Sequence, residues 1–354
     1  MLGSSTIVSL TLLLSGISCA LPHTDVLSQG NDSANGPRDF HETANLTGNL
    51  ELVSDKPEEI AVLKKMPTEM EGLEALAADL PHYESLTVIG DSYSSGDGAF
   101  GSSTDEDCKR NKGSHGSRLN SILKPTSFAY LACSGASALN VLKNQVESQS
   151  FGTPDLVTMT AGGNNDDIFV KLLLACILLK SKEECDNALK VGEATLLKLP
   201  ATLTPLYEAI MNKTGDDGAP PQVLHLGYVK IWARDTSRSE CPKDGTDVSW
   251  ASNGFGGHRD KINDLISRFN KVTKAEAEEN GVIFVGVDPY FEGHRLCDGQ
   301  DASWLQHGHF GNNLTSEENG VLCHPTFDGH SAYINATLHA LKGQQLVDGE
   351  FVHL

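Results

Sequence analysis

Three serines within four residues follow a short apolar run in the stretch LTVIGDSYSSGDGAF, residues 86–100. The run predicts a buried strand that ends at a glycine and an aspartate, directly before Ser92. A serine in this place is a candidate nucleophile, provided that a base takes its proton and that N–H donors stabilise the developing oxyanion. The alternative is that the serines only cap a helix, which suits Ser94 and Ser95 better.

The elements that must position such a serine alternate along the chain. Apolar runs bounded by Gly, Pro or Asp predict strands, namely SLTVIG, DLVTMTAGG, QVLHLGYV and GVIFVGVD. Helical patterns lie between them, such as DIFVKLLLACILLKSK and INDLISRFNKVTKAEAEENG. This alternation predicts an α/β domain with a parallel sheet covered on both faces. Ligands bind beyond the carboxyl ends of such strands, where the loops GDSYSSG, AGGNNDD and GYVKIW are expected to meet.

Four blocks in the order VIGDSYSSG, LACSGASALNVL, VTMTAGGNNDDIF and CHPTFDGHSAYINA carry a family pattern. With them, most of residues 85–340 resembles the GDSL, or SGNH, hydrolase family. The resemblance implies a three-layer α/β/α, flavodoxin-like sandwich with Ser92 as nucleophile and His324 as general base. It also implies an oxyanion hole made by the N–H groups of Ser92 and Gly135 and by the side-chain amide of Asn164. No metal or organic cofactor is implied.

Two positions depart from that pattern. Relatives often carry an aspartate three residues before the base, where this chain has Val321. We expect a nearby backbone carbonyl, such as that of Val321, to orient His324. Asp288 or Asp328 could do so only if the fold brings one of them close. Asp91, directly before the nucleophile, is predicted to support the site.

The second departure follows the oxyanion asparagine. Many relatives have Gly-Gly-Asn-Asp, whereas here Asn164 is followed by Asn165.

Composition and charge indicate in which compartment the protein acts and which partners it can bind. Residues 1–20 read as a cleaved signal peptide, residues 21–80 as an acidic leader or propeptide, and residues 81–354 as the hydrolase domain. The leader contains a possible dibasic processing site, Lys64-Lys65, and EMEGLEALAADL could form one short helix. The formal net charge of −20 argues against nucleic acid as a partner. We expect a secreted monomer without a stable membrane anchor.

Secretion favours disulfides and glycans. The similarity to secreted actinobacterial esterases and lipases implies three sequential bridges, Cys108–Cys133, Cys176–Cys185 and Cys241–Cys297. Cys323 would then keep a buried thiol, and a Cys297–Cys323 bridge would overturn this scheme. Asn-x-Ser/Thr sequons predict glycosylation at Asn31, Asn45, Asn212, Asn313 and Asn335.

The predicted activity is carboxylic ester hydrolysis through a serine acyl-enzyme, on a small-molecule, lipid or acylated-carbohydrate ester. The alternatives are a polysaccharide O-deacetylase of the same family and a non-catalytic secreted binding glycoprotein. Trp304 could stack on a substrate, and His307 and His309 could ligate a metal, although a solvated loop suits these histidines better. The run IFVKLLLACILL could line an acyl pocket, but a helix covering the sheet is the commoner case.

Overall fold

The computed structural model describes residues 67–99, 103–105, 107–172, 175–176, 182–215, 218–233, 256–298, 303–306 and 322–354. Its strands are β1 Ser85–Gly90, β2 Ser103–Asp105, β3 Arg110–Asn111, β4 Ser127–Tyr130, β5 Leu156–Thr160, β6 Gln222–Leu226, β7 Ile283–Val285, β8 Gln344–Val347 and β9 Glu350–His353. Its α-helices are α1 Met70–Ala77, α2 Ser92–Ser95, α3 His115–Leu123, α4 Ala138–Asn140, α5 Ile168–Leu172, α6 Lys182–Met211, α7 Gly256–Glu279 and α8 Phe327–Leu341. A π-helical stretch, Val141–Val146, continues α4, and 3₁₀ turns span Gln149–Phe151, Asn165–Asp167 and Asp288–Phe291.

Five parallel strands form the central sheet, in the order β4-β1-β5-β6-β7. Counted along the chain, these strands have the order 2-1-3-4-5 of flavodoxin-like folds. Helices α6 and α7 pack together, and α1, α3 and α8 form a second packed group. The predicted three-layer α/β/α fold is therefore confirmed. The strand order reverses between β1 and β5, and a crevice is expected beyond their carboxyl ends.

The strands are buried because both faces of the sheet are covered. All five residues of β5 are buried, and so are the last five of β1. This explains why their sequences read as continuous apolar runs rather than as alternating ones. Two small antiparallel hairpins, β2-β3 and β8-β9, lie outside the main sheet. No helix in the described part of the chain is long and apolar enough to cross a membrane.

The folded domain begins before residue 81, which corrects the predicted boundary. Helix α1, the short helix that the leader sequence predicted, packs against α3 and α8. Ahead of it, the Pro67 carbonyl accepts a hydrogen bond of 2.7 Å from Asn335 Nδ2. The Thr68 carbonyl accepts bonds of 3.2 Å from the Arg118 guanidinium and from the Ser331 hydroxyl. Residues 67–80 are thus part of the domain and not of a leader.

A pair of buried histidines holds the start of α3 to α8. The backbone N–H of His115 donates to His330 Nδ1 over 3.1 Å, and the two rings stack. Both side chains are fully buried, and neither Nε2 atom has a hydrogen-bond partner in the described part of the chain. Burial, together with the charge of Arg118, lowers the pKa of His115 from 6.5 to about 3. Burial and the nearby His115 lower the pKa of His330 well below its usual value.

We predict that this histidine pair makes the fold sensitive to acid. Since the folded-state pKa values are depressed, the unfolded chain binds more protons once the pH falls below 6.5. The stability that the neutral rings contribute is therefore present above 6.5 and is lost towards pH 3. A His115→Leu variant should flatten the slope of unfolding free energy against pH by about 1.4 kcal/mol per unit between pH 6 and 4.

Urea unfolding at pH 7, 6, 5 and 4 measures this slope. His353→Leu, which removes an exposed histidine from β9, is the matched control and should behave like the wild type. A His115→Leu protein with the wild-type slope would contradict the assignment.

Candidate active site

The loop that leaves β1 positions Ser92 at the switch point of the sheet. Gly90 has φ +124°, and a Cβ atom there would lie 2.3 Å from the carbonyl oxygen of Thr160, so only glycine allows this approach to β5. The Asp91 N–H donates to the same carbonyl over 3.2 Å. Ser92 then opens the single turn α2, where it is partly exposed in a pocket.

Asp91 caps this turn, and not one of the serines. Its Oδ1 accepts hydrogen bonds from Tyr93 N over 3.1 Å and from Thr160 Oγ1 over 2.7 Å, and its Oδ2 accepts from the hydroxyl of Tyr228. Burial raises the pKa of Asp91, while these donors and the nearby His324 oppose the rise. Ser94 is buried, and its Oγ accepts from Thr160 N over 3.0 Å. Ser94 therefore has a structural role, which is to tie α2 to the end of β5 rather than to cap a helix.

His324 lines the same pocket as Ser92. Its Nδ1 is 3.1 Å from the carbonyl oxygen of Leu322, which can only accept, so Nδ1 is the donor in this contact. Nε2 is then the nitrogen that can accept a proton. The Tyr93 ring packs against the imidazole at a centroid distance of 5.3 Å, and its hydroxyl donates to the Cys323 carbonyl over 2.8 Å. A main-chain carbonyl thus orients the histidine, one residue later than predicted.

Of the three predicted orienters, the two carboxylates lie in the described structure, and neither bonds to His324 there. Val321 lies outside the described residues. The carboxylate of Asp288 accepts from Lys230 N over 2.8 Å and pairs with the side chains of Lys230 and Arg295. Asp328 is exposed in the first turn of α8.

The loops after β4 and β5 carry Gly135 and Asn164, the other two predicted oxyanion donors. Asn164 follows β5, lines the pocket, and donates from Nδ2 to the Ala136 carbonyl over 3.3 Å. That carbonyl directly follows Gly135, which has φ +80° and leads out of β4. The fold therefore brings the three loops after β4, β1 and β5 to one edge of the sheet, in that order.

Asn165, the departure from the family pattern, supports these loops. Its Oδ1 accepts from the Ala138 N–H over 2.9 Å, and its Nδ2 donates to Thr202 Oγ1 over 2.9 Å. It links the start of α4 to α6, with both ends of its amide paired. This role could not be predicted from residue types, because both partners are distant along the chain.

The rest of the pocket is apolar. Its apolar walls come from α5, from the loop after β6, from α7 and from the segment before α8, and include Phe169, Val170, Leu172, Tyr228, Val229, Ile231, Ile262, Ile266 and Leu322. Phe169, Val170 and Leu172 of the run IFVKLLLACILL thus line the pocket. Trp304 does not: it stacks on His294 with ring centroids 3.6 Å apart.

The cysteines brace two of the surrounding segments. Cys108–Cys133 and Cys176–Cys185 are disulfides. Cys297 is disulfide-bonded as well, and its predicted partner Cys241 lies outside the described residues. Cys323 carries a thiol, so the competing Cys297–Cys323 bridge does not form.

One predicted glycosylation site is wrong, and three others cannot be placed. Asn335 is buried inside α8, with its amide nitrogen bonded to the carbonyls of Pro67 and Ser331, so it is inaccessible to a glycan. Asn212 is exposed at the end of α6. Asn31, Asn45 and Asn313 lie outside the described residues.

Metal binding has no candidate site in the described ranges, where no three His, Cys, Asp or Glu side chains converge. His307 and His309, the pair considered as ligands, lie outside those ranges.

Comparison with known proteins finds relatives that match most of the chain. The model of the GDSL-like lipase/acylhydrolase family matches residues 88–332. "Lipase 1" of Streptomyces coelicolor is 33% identical over 260 residues, which cover 73% of this chain and 86% of that protein. A lipase of Streptomyces rimosus is 34% identical over 247 residues, covering 69% and 81%.

Solved structures agree in fold. The extracellular lipase from Streptomyces rimosus superposes with a TM-score of 0.58 at 30% identity, over 72% of this chain and 97% of that one. Phospholipase A1 from Streptomyces albidoflavus gives the same TM-score at 23% identity, over 72% and 98%, and so shows the fold alone.

Proposed function

The chain belongs to the GDSL-like lipase/acylhydrolase family and is a carboxylic ester hydrolase. On that premise we propose that Ser92 and His324 form a catalytic dyad that cleaves esters of alkyl carboxylic acids through an acyl-enzyme. The observation that carries this proposal is one pocket lined by Ser92, Asn164 and His324 and walled by apolar side chains.

The proposed reaction begins with proton transfer. His324 Nε2 takes the proton of the Ser92 hydroxyl while Oγ attacks the ester carbonyl carbon. The Leu322 carbonyl, bonded to Nδ1, holds the imidazole and stabilises its cationic form. The tetrahedral oxyanion accepts from the N–H groups of Ser92 and Gly135 and from the amide of Asn164.

Collapse of this intermediate breaks the bond to the alcohol, which receives the proton from His324. Water then attacks the acyl-enzyme, with His324 as base, and releases the acid and free Ser92. Ester and water give acid and alcohol, so the balance requires no other reactant.

The first test is hydrolysis of p-nitrophenyl esters from acetate to palmitate by the wild type, Ser92→Ala and Asn164→Ala. We expect Ser92→Ala to abolish turnover and Asn164→Ala to lower kcat by about 10²–10³, with both variants folded. A wild type that neither hydrolyses any ester nor is labelled at Ser92 by a fluorophosphonate would indicate a binding protein instead.

The walls of the pocket favour an alkyl chain over acetate alone as the acyl group. Val170 is half-buried on α5 and lines the pocket, so a larger side chain there reduces its volume without displacing the core. We predict that Val170→Trp lowers kcat/KM at least 10-fold for esters of eight or more carbons and leaves acetate within about twofold.

Leu197→Trp on α6 is the matched control, since Leu197 is 86% exposed and does not line the pocket. Equal losses on acetate and long esters in Val170→Trp would contradict the acyl-pocket assignment. A wild type that acts on acetate alone would support a polysaccharide deacetylase.

We further propose that the protein is secreted as a monomer and that residues 21–65 are removed after the dibasic pair. The hydrogen bonds that the domain makes to the carbonyls of Pro67 and Thr68 support cleavage before residue 67, because residues from 67 onwards pack as part of the domain. N-terminal sequencing and the native mass of protein secreted from a eukaryotic host test it. The expected start is Met66; a mature chain starting at Leu21 would contradict processing.

A further inference from the structure

A single hydroxyl joins the nucleophile loop to the loop of the oxyanion asparagine. The Tyr228 hydroxyl donates to Asp91 Oδ2 and accepts from the Gly163 N–H over 3.1 Å. Asp91 directly precedes Ser92, and Gly163 directly precedes Asn164. A side chain from a third loop, after β6, therefore bridges the two loops, in addition to the direct bonds between Asp91 and Thr160 at the end of β5.

Tyr228 is itself held on every side. Asn270 of α7 clamps its main chain, accepting from Tyr228 N over 3.0 Å and donating to its carbonyl over 2.6 Å. The rings of Tyr93, Phe169 and Phe269 meet the phenol edge-on at centroid distances of 5.2, 4.9 and 5.4 Å. The ring is fully enclosed, so the hydroxyl has one position available.

Gly163 is shaped to this ring. A Cβ atom at Gly163 would lie 2.9 Å from Tyr228 Cζ and 2.4 Å from a ring carbon of Phe169. Glycine thus lets the main chain come close enough for its N–H to reach the phenol oxygen.

With Asp91 ionised, the three groups allow only one arrangement of hydrogen-bond donors and acceptors. An ionised Asp91 can only accept, and the Gly163 N–H can only donate, so the phenol must donate to the first and accept from the second. Burial and the charge of Asp91 raise the pKa of Tyr228 well above its usual value, which keeps the phenol protonated. Without the hydroxyl, a buried carboxylate loses one donor and a buried N–H loses its acceptor.

We infer that Tyr228 is a positioning residue, which sets the placement of Ser92 relative to the Asn164 amide through Asp91 and Gly163. The inference rests on the proposed function, in which Ser92 attacks and Asn164 stabilises the oxyanion. Tyr228 takes no proton and forms no bond in the reaction. Its contribution is that the oxyanion donor is already in place when charge develops.

The test compares Tyr228→Phe with Tyr207→Phe. Tyr207 is an equally buried phenol on α6 whose hydroxyl bonds to His225 Nδ1 over 2.6 Å, and it does not line the pocket. We expect Tyr228→Phe to lower kcat about 10- to 100-fold on p-nitrophenyl butyrate with KM within about twofold, and Tyr207→Phe to lower only the urea midpoint. Equal kcat in Tyr228→Phe and wild type would overturn the inference.

A double-mutant cycle separates positioning from general loosening. If Tyr228 acts through the Asn164 amide, Tyr228→Phe should cost less than about threefold in kcat once Asn164 is alanine. Full additivity of the two losses would overturn the inference while leaving the proposed function intact. Absent labelling of the wild type by a fluorophosphonate would instead overturn the proposed function, and the inference with it.

Should Tyr228→Phe fail to fold, Asn270→Ala provides the second variant. It releases the main chain of Tyr228 and leaves the hydroxyl present. The same drop in kcat at unchanged KM is expected, coupled to Asn164→Ala in the same way, and wild-type kcat would overturn the inference.

Discussion

Asp91 places a carboxylate in the interior of the protein, at the point where β1 ends and the chain turns into Ser92. Three donors from α2, β5 and the loop after β6 converge on its two oxygens. A buried charge costs several kcal/mol unless it is paired or hydrogen-bonded, and removing one donor leaves that cost uncompensated. The packing of four elements at the edge of the sheet is therefore tied to the satisfaction of one side chain.

Asp97, a second buried acidic residue, holds the chain in place on the other side of Ser92. Asp97 is buried, accepts from Ser134 Oγ over 2.8 Å, and pairs with Lys109 over 3.1 Å. Ser134 precedes Gly135 and follows Cys133 of the Cys108–Cys133 disulfide. The nucleophile loop is thus fastened at both ends, by Asp91 to the loop of Asn164 and by Asp97 to the loop of Gly135. Such fastening gives the site the pre-organisation on which oxyanion stabilisation depends.

Much of the fold and part of the site could be predicted, because those features follow from local sequence patterns. The features that were missed depend on contacts between residues that are distant along the chain. The parallel sheet follows from apolar runs alternating with helical patterns, a signal local to each element. That Ser92, Asn164 and His324 meet in one pocket could be predicted because each stands in a recognisable block at an element boundary. Tyr228 was not found, although its loop GYVKIW was expected at the same edge, since its partners lie 137 and 65 residues away.

The errors have the same origin. The sequon at Asn335 is a three-residue pattern, and nothing in it reports that α8 buries this side chain. The domain boundary was placed too late because Pro67 and Thr68 are held through backbone carbonyls, which every residue possesses. For His324, the sequence analysis predicted the carbonyl of Val321 as the orienting acceptor, whereas the structure has the carbonyl of Leu322. Residue types do not reveal which carbonyl the turn brings to the imidazole.

Helix α8 gathers the first and last parts of the domain, since it binds the carbonyls of Pro67 and Thr68 and directly follows the segment of His324. During synthesis, α1 therefore emerges more than 200 residues before the helix on which it packs. Contacts this distant in sequence close late, because the entropy of a long loop must be overcome first. The pocket around Ser92, with its apolar walls and the neighbouring disulfides, is consequently not completed until α8 has been synthesised. A chain that stops short of residue 341 lacks part of α8 and leaves exposed the core that this helix covers, and such exposed apolar surface favours aggregation.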